Sequence, residues 1–179
     1  MNRLLQRLNG LTKINNVWLR WSFFAISIGI CVFIFVLSAQ PAVASSNTSS
    51  SFLITIFSIF KKDFGELDFA TQNSIIEPFI HFTRKAAHFT IYASLGLFVK
   101  LFVLTLNNKF SLKLVVSISV CLFYAISDEV HQIFVSGRSG QFSDVILDFC
   151  GSCCGIVFAI LIVLIIYKIK SKLGGKTNV

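Results

Sequence analysis

The sequence predicts an all-α protein: a polytopic membrane helix bundle of about four transmembrane helices, with short interfacial helices in the first outer loop. Three observations predict it. Of 179 residues, 55% are hydrophobic and only 13% charged, with a mean hydropathy of +0.78; water-soluble domains carry about 25% charged residues. Apolar runs of about 18–23 residues recur, each long enough to cross roughly 30 Å of hydrocarbon at 1.5 Å per residue. The short alternating segments that a closed barrel needs are missing.

Residues 1–20 form a basic lead, and Trp18 and Trp21 suit a headgroup interface. The first span, 22–39, carries no charge. Pro41 closes it after Ser38-Ala39-Gln40. Ala42-Val43-Ala44 also resembles a signal-peptide cleavage site, but the lead and the apolar run are both long for one. Residues 45–51 read as a polar linker. The apolar run 52–60, too short to span and followed by Lys61 and Lys62, reads as an interfacial helix. A turn around Gly65 follows. Residues 71–82 form a second short helix or an extended approach, and Pro78 favours a helix start near Glu77.

The second span, 86–106, contains only His88 and Lys100 as ionisable residues. The third, 114–134, is apolar until Asp128, Glu129 and His131. The fourth, 145–167, contains Asp148 alone. Short links at 107–113 and 135–143 make consecutive helices antiparallel neighbours. Gly151 and Gly155, four apart, would let another backbone approach the fourth helix closely. One transmembrane domain, 21–167, thus lies between the basic lead and a basic tail, 168–179. The five cysteines all fall in predicted spans. Their odd number argues against a disulfide framework, and Cys150-x-x-Cys153 reads as small apolar filler.

The formal charge of +8 does not point to nucleic acid, because the basic residues sort by orientation. With both termini cytoplasmic, Arg3, Arg7, Lys13, Arg20, Lys109, Lys113, Lys168, Lys170, Lys172 and Lys176 lie inside, and Lys100 snorkels inward. Lys61, Lys62, Arg84, Lys85 and Arg138 lie outside. Eleven of the sixteen basic residues inside fits the positive-inside rule. No acidic residue falls in a predicted cytoplasmic segment. The expected location is a cell membrane, crossed several times, with the lipid bilayer as the first partner.

Half of the eight acidic residues, Asp128, Glu129, Asp144 and Asp148, fall in one short stretch. Ionisable groups at membrane depth cost roughly 2.5–3.5 kcal/mol each on insertion scales and mark a functional site by default. The topology brings three groups to one outer face: Arg84, Lys85 and His88; Asp128, Glu129, His131 and Gln132; Arg138, Asp144 and Asp148. Helical spacing puts Arg84, His88 and Tyr92 on one face, Asp128, His131 and Gln132 on a second, and Asp144, Asp148, Gly151 and Gly155 on a third.

In such a set, His131 or His88 would be the general base and Asp128 would orient it. Arg84, Lys85 and Arg138 would grip an anion such as a lipid headgroup or cell-wall precursor, and Glu129, Gln132, Asp144 and Asp148 would line the same site. Ser127 and Ser139 are nucleophile candidates by position only. Two His and two Asp could hold a divalent ion, but Asp128-Glu129-Val130-His131 is not His-Glu-x-x-His, and no metal is assigned. There is no nucleotide-type phosphate loop, and no cofactor is expected.

The competing reading is that the charges only pair to hold helices together. A transporter is disfavoured because the acids cluster on one side. Enzyme and non-catalytic accessory protein both stay open.

Three ordered blocks resemble the VanZ-like family of small bacterial membrane proteins: Arg84-Lys85-x-x-His88-Phe89-x-x-Tyr92-x-x-Leu95-Gly96, Ser127-Asp128-Glu129-x-His131-Gln132-x-Phe134, and Gly137-Arg138-x-Gly140 with Asp144 and Gly151. Ser38-x-Gln40-Pro41 is similar to the family's end to the first span. The resemblance covers roughly residues 20–167. It implies a four-helix membrane domain in the bacterial envelope and a link to lowered teicoplanin susceptibility, without an established mechanism. Two positions depart: Ser136 stands where the family usually has Pro, and Asp148 where it often has Asn.

Overall fold

The computed structural model describes residues 16–174, which include no strand. The basic residues before Asn16, the side chains of Lys62 and Lys170, and Lys176 lie outside the described residues. Helix α1 spans Val17–Ser38. The Asn16 side chain opens it by accepting from the Trp18 and Leu19 amides, which satisfies donors that a helix start leaves orphaned. Helix α2 spans Ala42–Phe60, and a 3₁₀ turn covers Lys62–Glu66. Helix α3 spans Phe69–Leu104, α4 Phe110–Gln132, and α5 Phe142–Gly174. Among the described residues, five helices are long and apolar enough to cross a membrane: α1 to α4 and Phe142–Ile169 of α5. The chain is a multi-pass membrane protein.

Two expectations change. The serine-rich linker and the short interfacial helix are one 19-residue helix, α2. Its hydroxyls bond back four residues, from Thr48 to the Ala44 carbonyl, Ser50 to Ser46, Thr55 to Ser51 and Ser58 to Ile54. A serine or threonine that satisfies itself this way can stay in a helix without exposing a free donor. Nor does α3 begin near Glu77. Asp68 caps it earlier, accepting from the Thr71 amide at 3.1 Å and the Thr71 hydroxyl at 2.7 Å, and Pro78 sits inside. At 36 residues, α3 is about 54 Å long, well beyond the roughly 30 Å of hydrocarbon.

The overhang explains why there are two apolar cores. Ile34, Tyr92, Leu95, Val99, Val103, Cys121, Ala125 and Ile156 pack where α1, the second half of α3, α4 and α5 meet. Leu53, Phe64 and Ile76 pack separately, joining α2 and the 3₁₀ turn to the first part of α3. Large apolar side chains such as Phe33, Phe35, Phe123, Phe158 and Leu161 remain exposed, as expected of helices solvated by lipid.

Helices α3 and α5 run side by side in the same direction, and glycine lets their backbones touch. A Cβ on Gly155 would collide with the Ala93 carbonyl, one on Gly96 with the Ser152 carbonyl, and one on Gly151 with Phe89. The expected close approach at Gly151 and Gly155 is thus made, and its partner is α3.

At the bundle end away from the acidic stretch, cations cover the carbonyl end of α3. Arg20 Nη2 donates to the Thr105 carbonyl and Lys113 Nζ to the Leu104 carbonyl, both at 3.0 Å. This is where positive charge suits a helix. Lys100 departs from expectation. It does not snorkel; it is fully enclosed, with Nζ 4.8 Å from the Phe110 ring centroid, within cation–π range.

Candidate functional site

At the other end, α3, α4 and α5 bring His88, Asp128 and Asp148 together. One ligand-capable atom from each lies within 4.8 Å of the other two. Asp148 is fully enclosed and Asp128 is 4% exposed. His88 Nδ1 stands 3.6 Å from Asp148 Oδ2, outside ordinary hydrogen-bond range. Neither Asp148 oxygen has a hydrogen-bond partner. Asp128 is held: its Oδ2 accepts from Ser38 Oγ at 3.0 Å and Gln132 Nε2 at 3.2 Å. The enclosed Tyr92 hydroxyl lies beside Asp128 without completing a hydrogen bond.

A loop latch stands next to this group. Glu129 Oε2 accepts from the Gln141 amide at 2.9 Å and Oε1 from Gln132 Nε2 at 3.2 Å. Arg138 donates through Nε to the Gln40 carbonyl at 2.9 Å, through Nη1 to Gln132 Oε1 at 3.0 Å and through Nη2 to the Leu37 carbonyl at 3.3 Å. One guanidinium therefore ties the end of α1 to the α4–α5 loop. Burial, then the like charge of Arg84, lowers the Arg138 pKa from its ordinary value. Gly137 makes the turn possible with φ +72°, a conformation glycine adopts without penalty.

Arg138→Gln is expected to cost about 2–3 kcal/mol, since hydrogen bonds to charged groups contribute roughly 1.5–3 kcal/mol each and glutamine retains part of the set. Thermal unfolding in detergent measures it. Arg138→Lys should recover less than half, because an ammonium cannot reproduce the fork; full recovery would show that only charge matters.

In the competing reading, Arg84, Lys85 and Arg138 would pair with the carboxylates; of these three, Lys85 does so. Among the described residues, Lys85 pairs with Asp144 at 3.2 Å, and His88 stands near enough to Asp148 to pair with it when protonated. The first is partly exposed and contributes little. Arg138 is engaged by neutral oxygens.

His131 also departs from expectation. Its ring stacks on Phe35 of α1, with centroids 4.5 Å apart, and it does not join His88. Gln132 and Asp128, four apart, share the inward face. His131 looks across to α1.

Two hollows adjoin His88. A cavity of about 150 Å³ is walled by Arg84, Lys85 and Arg138, with His88, Asp144 and Asp148 also lining it. An apolar groove of about 720 Å³ runs beside it, lined by Phe33, Leu37, Phe52, Phe82 and Ile91, and again by His88.

Sequence reasoning missed Ser38 and the Gln141 amide as parts of the site. Ser38 had a signal in Ser38-x-Gln40-Pro41, read only as a helix end. The Gln141 amide, like any backbone group, leaves none.

These features define a multi-pass, all-α membrane protein with a buried histidine–carboxylate cluster at one end of its bundle. The chain matches the VanZ/LLP1 family over residues 23–165 and belongs to it. No curated protein and no solved structure matches it.

Proposed function

We propose that this protein binds the anionic headgroup of an envelope lipid or lipid-linked cell-wall precursor at the outer membrane face. The observation that carries this is the pairing of hollows at His88: a small cationic cavity beside a large apolar groove. A lipid has that same division. Its headgroup would enter between Arg84, Lys85 and Arg138, and its chain would lie along Phe33, Phe52 and Phe82. Among the described residues Arg84 has no carboxylate within ion-pair distance, so its guanidinium is available to a phosphate or carboxylate. His88, rather than His131, is the side chain placed to accept or donate a proton. On this reading Glu129, Gln132 and Arg138 hold the site together.

The proposed arrangement has α1, the second half of α3, α4 and α5 crossing the bilayer, with α2 and the start of α3 at the outer interface and both termini cytoplasmic. Charge supports it: Arg20, Lys109, Lys113, Lys168 and Lys172 gather at the end remote from the cavity. Structural pairing of charges is the weaker reading, because among the described residues the buried Asp128 and Glu129 have no cation within ion-pair distance and Asp148 has the His88 ring alone. Altered glycopeptide susceptibility would follow if the ligand is a cell-wall precursor.

The test is lipid retention by the purified protein, compared between anionic and zwitterionic lipids by native mass spectrometry. Arg84→Gln is expected to lower anionic lipid binding about tenfold, the order of one charge-assisted contact. Equal retention of both lipid classes by the wild type would end the headgroup reading. Ser139→Cys should label from outside intact cells with a membrane-impermeant maleimide. Labelling only from the cytoplasm would reverse the topology.

A further inference from the structure

The charge balance of the cluster is incomplete. Asp128 and Asp148 are both buried, their oxygens approach within 4.8 Å, and the cation-capable group beside them is the partly buried His88 ring. Taking carboxylates out of water without full compensation costs several kcal/mol each. Hydrogen bonds compensate only one of the two: Asp128 Oδ2 accepts from Ser38 and Gln132. Asp148 has none on either oxygen, and the neighbouring Tyr92 hydroxyl has none either. Such orphaned atoms need an explanation, and an ion is one of the few available.

From these observations we infer that His88, Asp128 and Asp148 form a binding site for one divalent metal ion of borderline hardness, such as Zn²⁺ or Mn²⁺. The inference rests on the reading of this cavity as a ligand site and deepens it, because the ion would lie at the floor where a headgroup oxygen enters. One imidazole and two carboxylates suit such ions, and three protein ligands leave positions open for an exogenous oxygen. Two formal negative charges would balance two positive.

The geometry needs modest closure. Bonds of about 2.1 Å put neighbouring ligands roughly 3–3.5 Å apart and opposed ones about 4.2 Å. The His88–Asp148 separation of 3.6 Å is already near the first value, and the widest separation of 4.8 Å must contract by about 1 Å, within reach of side-chain rotation. The outer shell is present as well. Ser38 Oγ and Gln132 Nε2 hold Asp128, the kind of support that fixes a ligating carboxylate. The cavity at His88 and Asp148 supplies the entry path.

The experiment uses the full chain in detergent, on a tag free of histidine and cysteine. After chelation and dialysis, Zn²⁺ and Mn²⁺ are titrated separately by calorimetry, and bound metal is counted by mass spectrometry of the elements. One ion per chain is expected for at least one metal. His88→Gln and Asp128→Asn should each weaken it at least tenfold, with folding checked by circular dichroism. Fewer than about 0.2 ions per wild-type chain with both metals overturns the site and leaves a His–Asp pair. So does unchanged affinity in folded His88→Gln. Lipid retention is measured on the same preparations. Metal binding without a headgroup preference would defeat the headgroup reading alone, whereas a headgroup preference without metal would defeat this inference alone.

Discussion

Gly155→Ala should lower the thermal midpoint on the order of 10 °C. The added Cβ would meet the Ala93 carbonyl and the Leu97 amide nitrogen of α3. These are backbone atoms in a helix and cannot rotate away, so α5 must move as a whole. Overpacking a core costs typically 1–3 kcal/mol and sometimes more; an immovable neighbour puts this case at the upper end. For a chain of this length each kcal/mol shifts the midpoint by roughly 2–4 °C. Gly29→Ala is the control. Nothing lies within 4 Å of its added Cβ, so helix propensity alone should make it neutral or slightly stabilising. Fluorescence-monitored unfolding in detergent decides the matter. Equal midpoints for the two variants would mean that the α3–α5 seam is looser than described.

The second large effect has the opposite sign. Asp148→Asn, in chelated protein at pH 8, should raise stability by about 2 kcal/mol. Asp128 and Asp148 bring oxygens within 4.8 Å of each other, and two unit charges at about 4–5 Å repel by roughly 3–4 kcal/mol at an effective dielectric near 20. The substitution removes that repulsion and the burial of a carboxylate that accepts no hydrogen bond, while keeping shape. A structural ion pair predicts the reverse, since removing one partner of a buried pair destabilises by about 3–5 kcal/mol. Chemical unfolding of wild type and variant gives the sign directly. A loss of 2 kcal/mol or more would make the His88–Asp148 contact a fold-holding pair and remove the electrostatic case for a metal.

The bundle was legible because its signals are one-dimensional. An 18-residue run without charge, or a Gly-x-x-x-Gly spacing, states its role without reference to the rest of the chain. His88 and Asp148 could be placed at one depth for the same reason, through span boundaries and charge bias. Direction around a helix was harder. His131 and Gln132 are adjacent, and Phe35 on another helix claims the imidazole. No spacing rule within α4 contains that information. Helix α2 was missed because Ser and Thr favour turns when their hydroxyls compete for backbone groups, yet in a helix the same hydroxyls bond back to carbonyls. Composition alone does not choose between the two. Pro78 resembles a helix start, but the Asp68 cap ten residues before it has already opened α3, and the proline sits inside.

The α3–α5 seam also sets an order in time. As the chain is made, α3 with His88 comes first, α4 with Asp128 follows, and α5 with Asp148 comes after both. The glycine-mediated contact of α3 with α5 therefore joins segments that are not consecutive, with α4 inserted between them. Until α5 arrives, the glycine-lined flank of α3 has no backbone against it and the polar cluster lacks a member. Assembly thus has a built-in completion step: the cluster forms only once α5 has joined α3 and α4.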